Sequence, residues 1–318
     1  MSTAVRHAMP QVVDASGWPS LAVPGVRLDD EAFVQAAGYA GHALPAAVHQ
    51  ALIDVADHAP ASGALLLKGV PVGEMPATPP SPTAPTHKDL MSEFHLLTVA
   101  RRLGQPVGYE PEHGGDLVQN LVPTQAGADR QVSTSSRVNL MFHTEAAFHP
   151  HRPRYLLLLC LRGDPKAFTT LASISQVLPH LPPRVVETLF QPRFRTAVDE
   201  SYLHGRTNVL GAPVAVLTGE RHAPSMVFDE DLMVGTDTEA DAALHTLGEA
   251  VVEHQIAVAL EAGDLLVVDN NVAVHGRTPY SPRFDGTDRW LQRAMVVADL
   301  ALSAGQRRGR VITTVFGD

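Results

Sequence analysis

Three residues in this chain have the types and spacing to hold a divalent metal ion. His143 and Glu145 stand two positions apart at the end of an apolar run that includes Met141 and Phe142. In an extended strand, residues i and i+2 face the same side, so an imidazole and a carboxylate there reach one ion together. His275 follows 132 residues later, after the buried-type strand 265–268 and an asparagine-rich turn, a separation that suits two strands adjacent in space. Two neutral imidazoles and one carboxylate on one face of a metal leave three positions open, the arrangement of non-haem Fe(II) oxygenases. The pattern is weak by itself, because 16 histidines and 34 acids produce such pairs by chance. A closed zinc site, which usually takes four Cys or His ligands, finds no cysteine cluster here.

Two further groups of charges lie within reach of such a site. Arg289 and Arg293, four residues apart downstream of His275, face the same side if extended, and each guanidinium can clamp a carboxylate through two hydrogen bonds. Beside an open-sided iron, that pair suits a dicarboxylic oxo-acid cosubstrate and an amino-acid substrate; a solvated arginine pair is the competing reading. The run Asp229-Glu230-Asp231 offers a second charge cluster, in which Asp229 and Asp231 share a face if extended. Two carboxylates in a closed pocket repel unless a cation lies between them, so a basic side chain is their natural partner, against the alternative of a solvated acidic turn.

The elements that would position these residues follow from periodicity and breakers. The spacing predicts helices over 31–40, 46–58, 87–103, 183–190 and 237–255, and an N-terminal third, 1–62, that is mainly helical. A strand is expected at 64–70. Beyond residue 107, nine short apolar runs separated by Gly, Pro, Asn and Asp read as strands: 117–122, 138–142, 155–161, 168–172, 214–217, 226–228, 256–260, 265–268 and 291–297. Many short strands with such punctuation are the mark of a sandwich, barrel or jelly roll. Pro76, Pro79, Pro80, Pro82 and Pro85 exclude helix and sheet interior from their stretch, which reads as a loop and a candidate lid, together with the loop 204–212.

Composition narrows the classes. With 318 residues, 45% hydrophobic and 18% charged, the chain has material for a large buried core. Its longest apolar runs, at 156–161 and 265–268, fall far short of the roughly 20 residues that span a bilayer. Residues 1–15 show no basic cluster followed by an apolar core of signal-peptide length, so a cytoplasmic protein is expected. The formal net charge of −10 has the wrong sign for a general nucleic-acid binder and mildly favours small cationic ligands. Cys160, the only cysteine, sits in the run 156–161 and reads as a core residue. No Rossmann or P-loop fingerprint follows a strand.

From about residue 63 to 316 the sequence resembles the clavaminate-synthase-like branch of the Fe(II)/2-oxoglutarate dioxygenases. The resemblance rests on Gly63-Ala64-Leu65-Leu66-Leu67-Lys68-Gly69, His143-Thr144-Glu145 with Ala147-Phe148, Arg152-Pro153, Cys160-Leu161-Arg162, Val268-Asp269-Asn270, Val274-His275-Gly276-Arg277 and Asp288-Arg289-Trp290-Leu291. It implies one domain over 1–318: a double-stranded β-helix (jelly-roll) core in 63–318 with N-terminal and inserted helices. It further implies Fe(II) held by His143, Glu145 and His275, with 2-oxoglutarate and O2 as cosubstrates. By the same resemblance Arg289 binds the distal carboxylate of 2-oxoglutarate, assisted by Thr170. Arg293 holds a substrate α-carboxylate, Glu112 receives its α-ammonium, and Ser133 makes a neighbouring polar contact. Because the carboxylate ligand is present, hydroxylation is favoured over halogenation. Asp229 and Asp231 match acids that hold the cationic end of free basic amino acids in relatives, and the segments 199–203 and 228–233 look most like those of the free L-lysine hydroxylases. The implied activity is hydroxylation of L-lysine at C3 or C4, giving succinate and CO2. Free L-arginine, L-asparagine, an oxidative cyclase substrate, or a metal-binding jelly-roll module without turnover are the alternatives. Oligomeric state is not legible.

Overall fold

The computed structural model describes residues 8–84, 86–203 and 205–317; residues 1–7, Pro85, His204 and Asp318 lie outside them. Two β-sheets face each other. The larger runs in the order Gln11–Asp14, Ala64–Lys68, Leu265–Asp269, Tyr155–Arg162, Trp290–Val297, Gln105–Tyr109, Val311–Ile312, Arg307–Arg308, and the short strand Gln119–Leu121 also pairs with Trp290–Val297. The smaller is wholly antiparallel, in the order Ile256–Ala259, Phe168–Ser173, Ala273–Arg277, Leu140–His143. Together they form a jelly roll.

The apolar run of strand Tyr155–Arg162 is continuous because both of its faces are covered. Leu157, Leu159 and Leu161 pack outward into a core shared with helices Glu31–Ala40, Ala46–Asp57 and Met91–Leu103. Leu156, Leu158 and Cys160 point inward, into a second core between the sheets with Leu171, Ile256 and Val258. Cys160 is therefore a core residue, and burial pushes its thiol up to about 12. A third core lies on the outer face of the smaller sheet, beneath helix Thr238–Glu253. The N-cap of that helix, Asp237, accepts from the backbone N–H groups of Glu239 and Ala240.

Several features depart from the expected pattern: the helix expected over 87–103 begins at Met91, and the strand Gln105–Tyr109 follows it. The N-terminal part is not helical throughout, since Gln11–Asp14 adds a strand parallel to Ala64–Lys68 at the sheet edge. His275 lies within a strand, Ala273–Arg277, which pairs with Leu140–His143 and is not among the nine runs expected as strands. The proline-rich stretch is a loop, but it is braced. Thr78 donates to Asp288 O at 2.6 Å, and Arg162 donates to Pro76 O at 3.0 Å and Gly286 O at 3.1 Å. The described residues of the stretch line no part of the central cavity. Among the described residues no helix is long and apolar enough to cross a membrane.

Candidate active site

A cavity of about 310 Å³ opens between the two sheets at the end where Leu140–His143 and Ala273–Arg277 pair. His143 and His275 are register partners on these strands, with ring centroids 4.3 Å apart. Glu145 follows His143 by two residues. The three residues offer ligand atoms that all lie within 4.8 Å of one another. Gly276 makes the close pairing achievable: a Cβ there would lie 2.5 Å from Leu140 O, and the register between the strands shifts at this point.

The protonation states suit a metal. Burial, with His143 beside it, pushes the His275 imidazole down to about 4, which keeps it neutral and able to donate a lone pair. Burial opposes ionisation of Glu145, but Arg293 and the two imidazoles overcome it and hold the carboxyl below the usual range. His143 Nδ1 stands 2.9 Å from Met141 O, and because a carbonyl only accepts, Nδ1 carries the proton and Nε2 is free to ligate. Glu145 Oε2 is buried without a hydrogen-bond partner, 3.5 Å from His275 Nε2. An orphaned carboxylate oxygen grouped with two imidazoles is the donor set of a facial iron site, so the residues fit the metal that the sequence implied.

The arginines divide the cavity. Arg293, fully inside, donates to Glu145 Oε1 at 3.1 Å, and also to Glu112 Oε1 and Gln119 Oε1. Burial favours the neutral form of Glu112, which Arg293 opposes, and the Tyr202 hydroxyl donates to its second oxygen at 3.1 Å. Arg289 is equally buried, yet among the described residues it forms no ion pair; it donates to Thr169 Oγ1 at 3.4 Å. An unneutralised guanidinium at the cavity wall is a site for an anion. Thr169 lines the cavity, and Thr170 does not. Thr169 and the inner-core residue Leu171 lie on one face of the strand, whereas Thr170 lies with Ala172 on the other, so the expected partner of Arg289 is displaced by one residue.

The cavity is also lined by Asp229, Asp231 and Ser133, and Asp229 forms a β-bridge with His143. Asp229 is buried; its Oδ1 accepts from the backbone N–H groups of Asp231 at 3.0 Å and Leu232 at 2.9 Å, and it forms no ion pair among the described residues. Burial raises its carboxyl above the usual range. Asp231 is exposed at the rim. The expected pair of equivalent acids on an extended face is therefore a turn with one buried and one exposed carboxylate. Sequence reading assigned no role to Tyr202 and Arg277, which line the cavity, or to Gln119, which accepts from Arg293. The i, i+2 relation of Arg277 to His275 was the signal available for that arginine.

Comparison with known proteins agrees with this geometry. Residues 32–295 match the family described as taurine catabolism dioxygenase TauD, TfdA family. The chain is 39% identical over 264 residues to L-lysine 3-hydroxylase of Catenulispora acidiphila, covering 80% of this chain and 73% of the relative. It is 37% identical over 302 residues to L-asparagine oxygenase of Streptomyces coelicolor, covering 93% and 90%. A solved asparagine oxygenase in complex with Fe(II), 2S,3S-3-hydroxyasparagine and succinate superposes with a TM-score of 0.85 at 37% identity over 91% of each chain. The non-haem iron oxygenase OrfP in complex with Fe and alpha-ketoglutaric acid superposes at 0.80, with 30% identity over 89% of this chain and 91% of that one. The cavity with its two imidazoles, one carboxylate and an unpaired arginine thus sits on the scaffold these oxygenases share, and the chain belongs to the TauD/TfdA family of Fe(II)- and 2-oxoglutarate-dependent dioxygenases.

Proposed function

We propose that this protein hydroxylates an unactivated carbon, C3 or C4, of free L-lysine. The observation that carries the choice of a basic substrate is Asp229, a buried carboxylate on the cavity wall with no ion pair among the described residues. Its two backbone hydrogen bonds occupy one oxygen and leave the other for a cation entering the cavity. A substrate ammonium there relieves the desolvation that burial imposes.

The opposite end is arranged for an α-amino acid. Arg293 and Glu112 pair with each other, and a zwitterion inserted between them meets its complement at both atoms: guanidinium to α-carboxylate, carboxylate to α-ammonium. Tyr202 holds Glu112 in place from the side away from Arg293. Fixed at both ends, the substrate has only its middle carbons free to face the metal. Arg289 and Thr169 hold the distal carboxylate of 2-oxoglutarate, and His143, Glu145 and His275 hold iron. With its cosubstrates bound, iron supplies the oxidant that inserts one oxygen atom into the C–H bond, while 2-oxoglutarate leaves as succinate and CO2. Ser133 borders the substrate's side-chain end.

L-asparagine is the second reading, favoured by the relative that spans 93% of this chain. A carboxamide carries no charge to neutralise Asp229, which weighs against it. L-arginine would satisfy the acid with a broader cation. Incubation with a pool of free amino acids, Fe(II), ascorbate and 2-oxoglutarate, read by mass for gain of one oxygen, tests the reading. Lysine is expected to be the principal product precursor, and no gain on any basic amino acid refutes it.

A further inference from the structure

Arg277 differs from the other two arginines of the cavity in what it holds. Arg293 faces carboxylates and Arg289 waits at the wall without one, whereas Arg277 uses its donors on neutral oxygens of a single loop. Its guanidinium donates to Ser135 O, to Ser135 Oγ at 2.9 Å and to Val138 O at 3.3 Å. The same group lies over the Tyr280 ring, 5.0 Å from its centroid. Tyr280 grips the loop too, its backbone N–H donating to Ser136 O at 2.7 Å. Ser135 and Ser136 are fully buried, and the Ser135 N–H donates back to Val132 O at 2.9 Å. The loop pinned this way presents Gln131, Val132 and Ser133 to the cavity. Arg277 lies two residues beyond His275 on the same strand.

We infer that Arg277 is a positioning residue that straps the cavity wall 131–133 to the metal-bearing strand and thereby fixes where the substrate's side chain lies relative to the metal. The inference rests on the reading above that this cavity receives an amino acid. A strap of this kind needs a fork: several donors at fixed angles, meeting a carbonyl and a hydroxyl of one residue and a second carbonyl three residues on. Lysine keeps the charge and loses the fork. Loosening the wall leaves iron and cosubstrate sites intact but lets the target carbon drift, and drift on the order of 1 Å costs about a hundredfold in rate. Cosubstrate consumption then outruns hydroxylation, with ascorbate supplying the electrons for turnovers that do not oxidise the amino acid.

The test compares the full-length wild-type protein with Arg277→Lys and, as a milder change that spares the fold, Ser135→Ala. Hydrogen exchange is followed in peptides covering 131–136, 140–143 and 289–293, and succinate and hydroxylated product are quantified side by side. For Arg277→Lys, exchange at 131–136 is expected to rise by about tenfold or more while the other two segments stay as in wild type, as local opening of one loop requires. Ser135→Ala is expected to give about a fivefold rise, the worth of one hydrogen bond. In Arg277→Lys the amino-acid KM rises by about tenfold or more and succinate exceeds product, while the 2-oxoglutarate KM stays within about threefold. Unchanged exchange at 131–136 in both variants overturns the strap. A rise in the 2-oxoglutarate KM larger than that of the amino acid also overturns it, making Arg277 a cosubstrate ligand. If the wild type turns over no amino acid, the functional reading fails, and the exchange comparison still decides the strap.

Discussion

Asn270 brackets the backbone of Glu145. Its side-chain oxygen accepts the Glu145 N–H at 2.7 Å, and its amide donates to Glu145 O at 3.1 Å and to Pro153 O at 2.9 Å. Asn270 has no exposed surface. The chain turns sharply just after Glu145, with Ala146 at φ 51°, so the bracket fixes the backbone from which the carboxylate reaches toward His143 and His275, while Arg293 holds one of its oxygens. Asn270→Ala leaves buried backbone groups unpaired and is expected to cost about 3 kcal/mol of stability. Iron affinity should fall roughly tenfold to a hundredfold, as for other groups that orient a metal ligand. Denaturant unfolding and Fe(II) titration under anaerobic conditions check both values.

Neighbouring threonines separate the two assignments for the cosubstrate end. Thr169→Ala removes the hydroxyl beside Arg289, and the 2-oxoglutarate KM should rise about fivefold, the worth of one hydrogen bond. Thr170→Ala, on the other face of the strand, should leave that KM unchanged. Arg289→Met should raise it by about a hundredfold, because a buried carboxylate would lose its countercharge. Steady-state kinetics with 2-oxoglutarate varied distinguish all three; equal effects of the two threonine variants would refute the register-based assignment.

Asp229 and Asp231 should not contribute equally. Asp229→Asn is isosteric and removes the buried charge, and kcat/KM for lysine should fall about a hundredfold. Asp231→Asn, at an exposed position, should cost less than about fivefold, as screened surface charges do. Competition between lysine and a neutral amino acid in each variant shows whether the loss is one of charge recognition.

Acid should destabilise the metal-free protein through its buried histidines. Burial pushes His113 down to about 4 and His149 down to about 3. In the unfolded chain both titrate near about 6.5, so below that pH the unfolded state binds more protons than the folded state. Their contribution is complete above about pH 6.5 and is lost as pH falls toward the folded values, with about 2 kcal/mol at stake for each at pH 5. Chemical unfolding of the chelator-treated protein at pH 7.5, 6 and 5 should show this decline; a flat profile contradicts it.

Much of this was legible in the sequence, for identifiable reasons. Helix Glu31–Ala40 and the doubly covered strand Tyr155–Arg162 follow from periodicity and an unbroken apolar run. His143, Glu145 and His275 could be proposed from residue type and spacing, and the structure brings them together, with Glu145 in the turn that follows strand Leu140–His143 rather than within it. The strand Ala273–Arg277 was hidden by Gly276 and the preceding asparagines, which read as turn residues although the glycine serves a close strand approach. Gln105–Tyr109 was hidden in the same way by Pro106 and Gly108. Thr169 and Thr170 could not be told apart because their strand is buried on both faces, so no polar alternation marks the inward one. The inequality of Asp229 and Asp231 depends on a turn closed by backbone hydrogen bonds to Asp229 itself, which an extended reading does not contain.

The most direct test of the central claim compares L-lysine with L-norleucine, which keeps the α-amino acid end and lacks the terminal ammonium. With Fe(II), 2-oxoglutarate and O2, lysine should gain one oxygen with matching succinate release, and kcat/KM for norleucine should be lower by about a hundredfold or more, because its methyl group leaves Asp229 buried and unpaired. Equal turnover of the two amino acids would contradict the account.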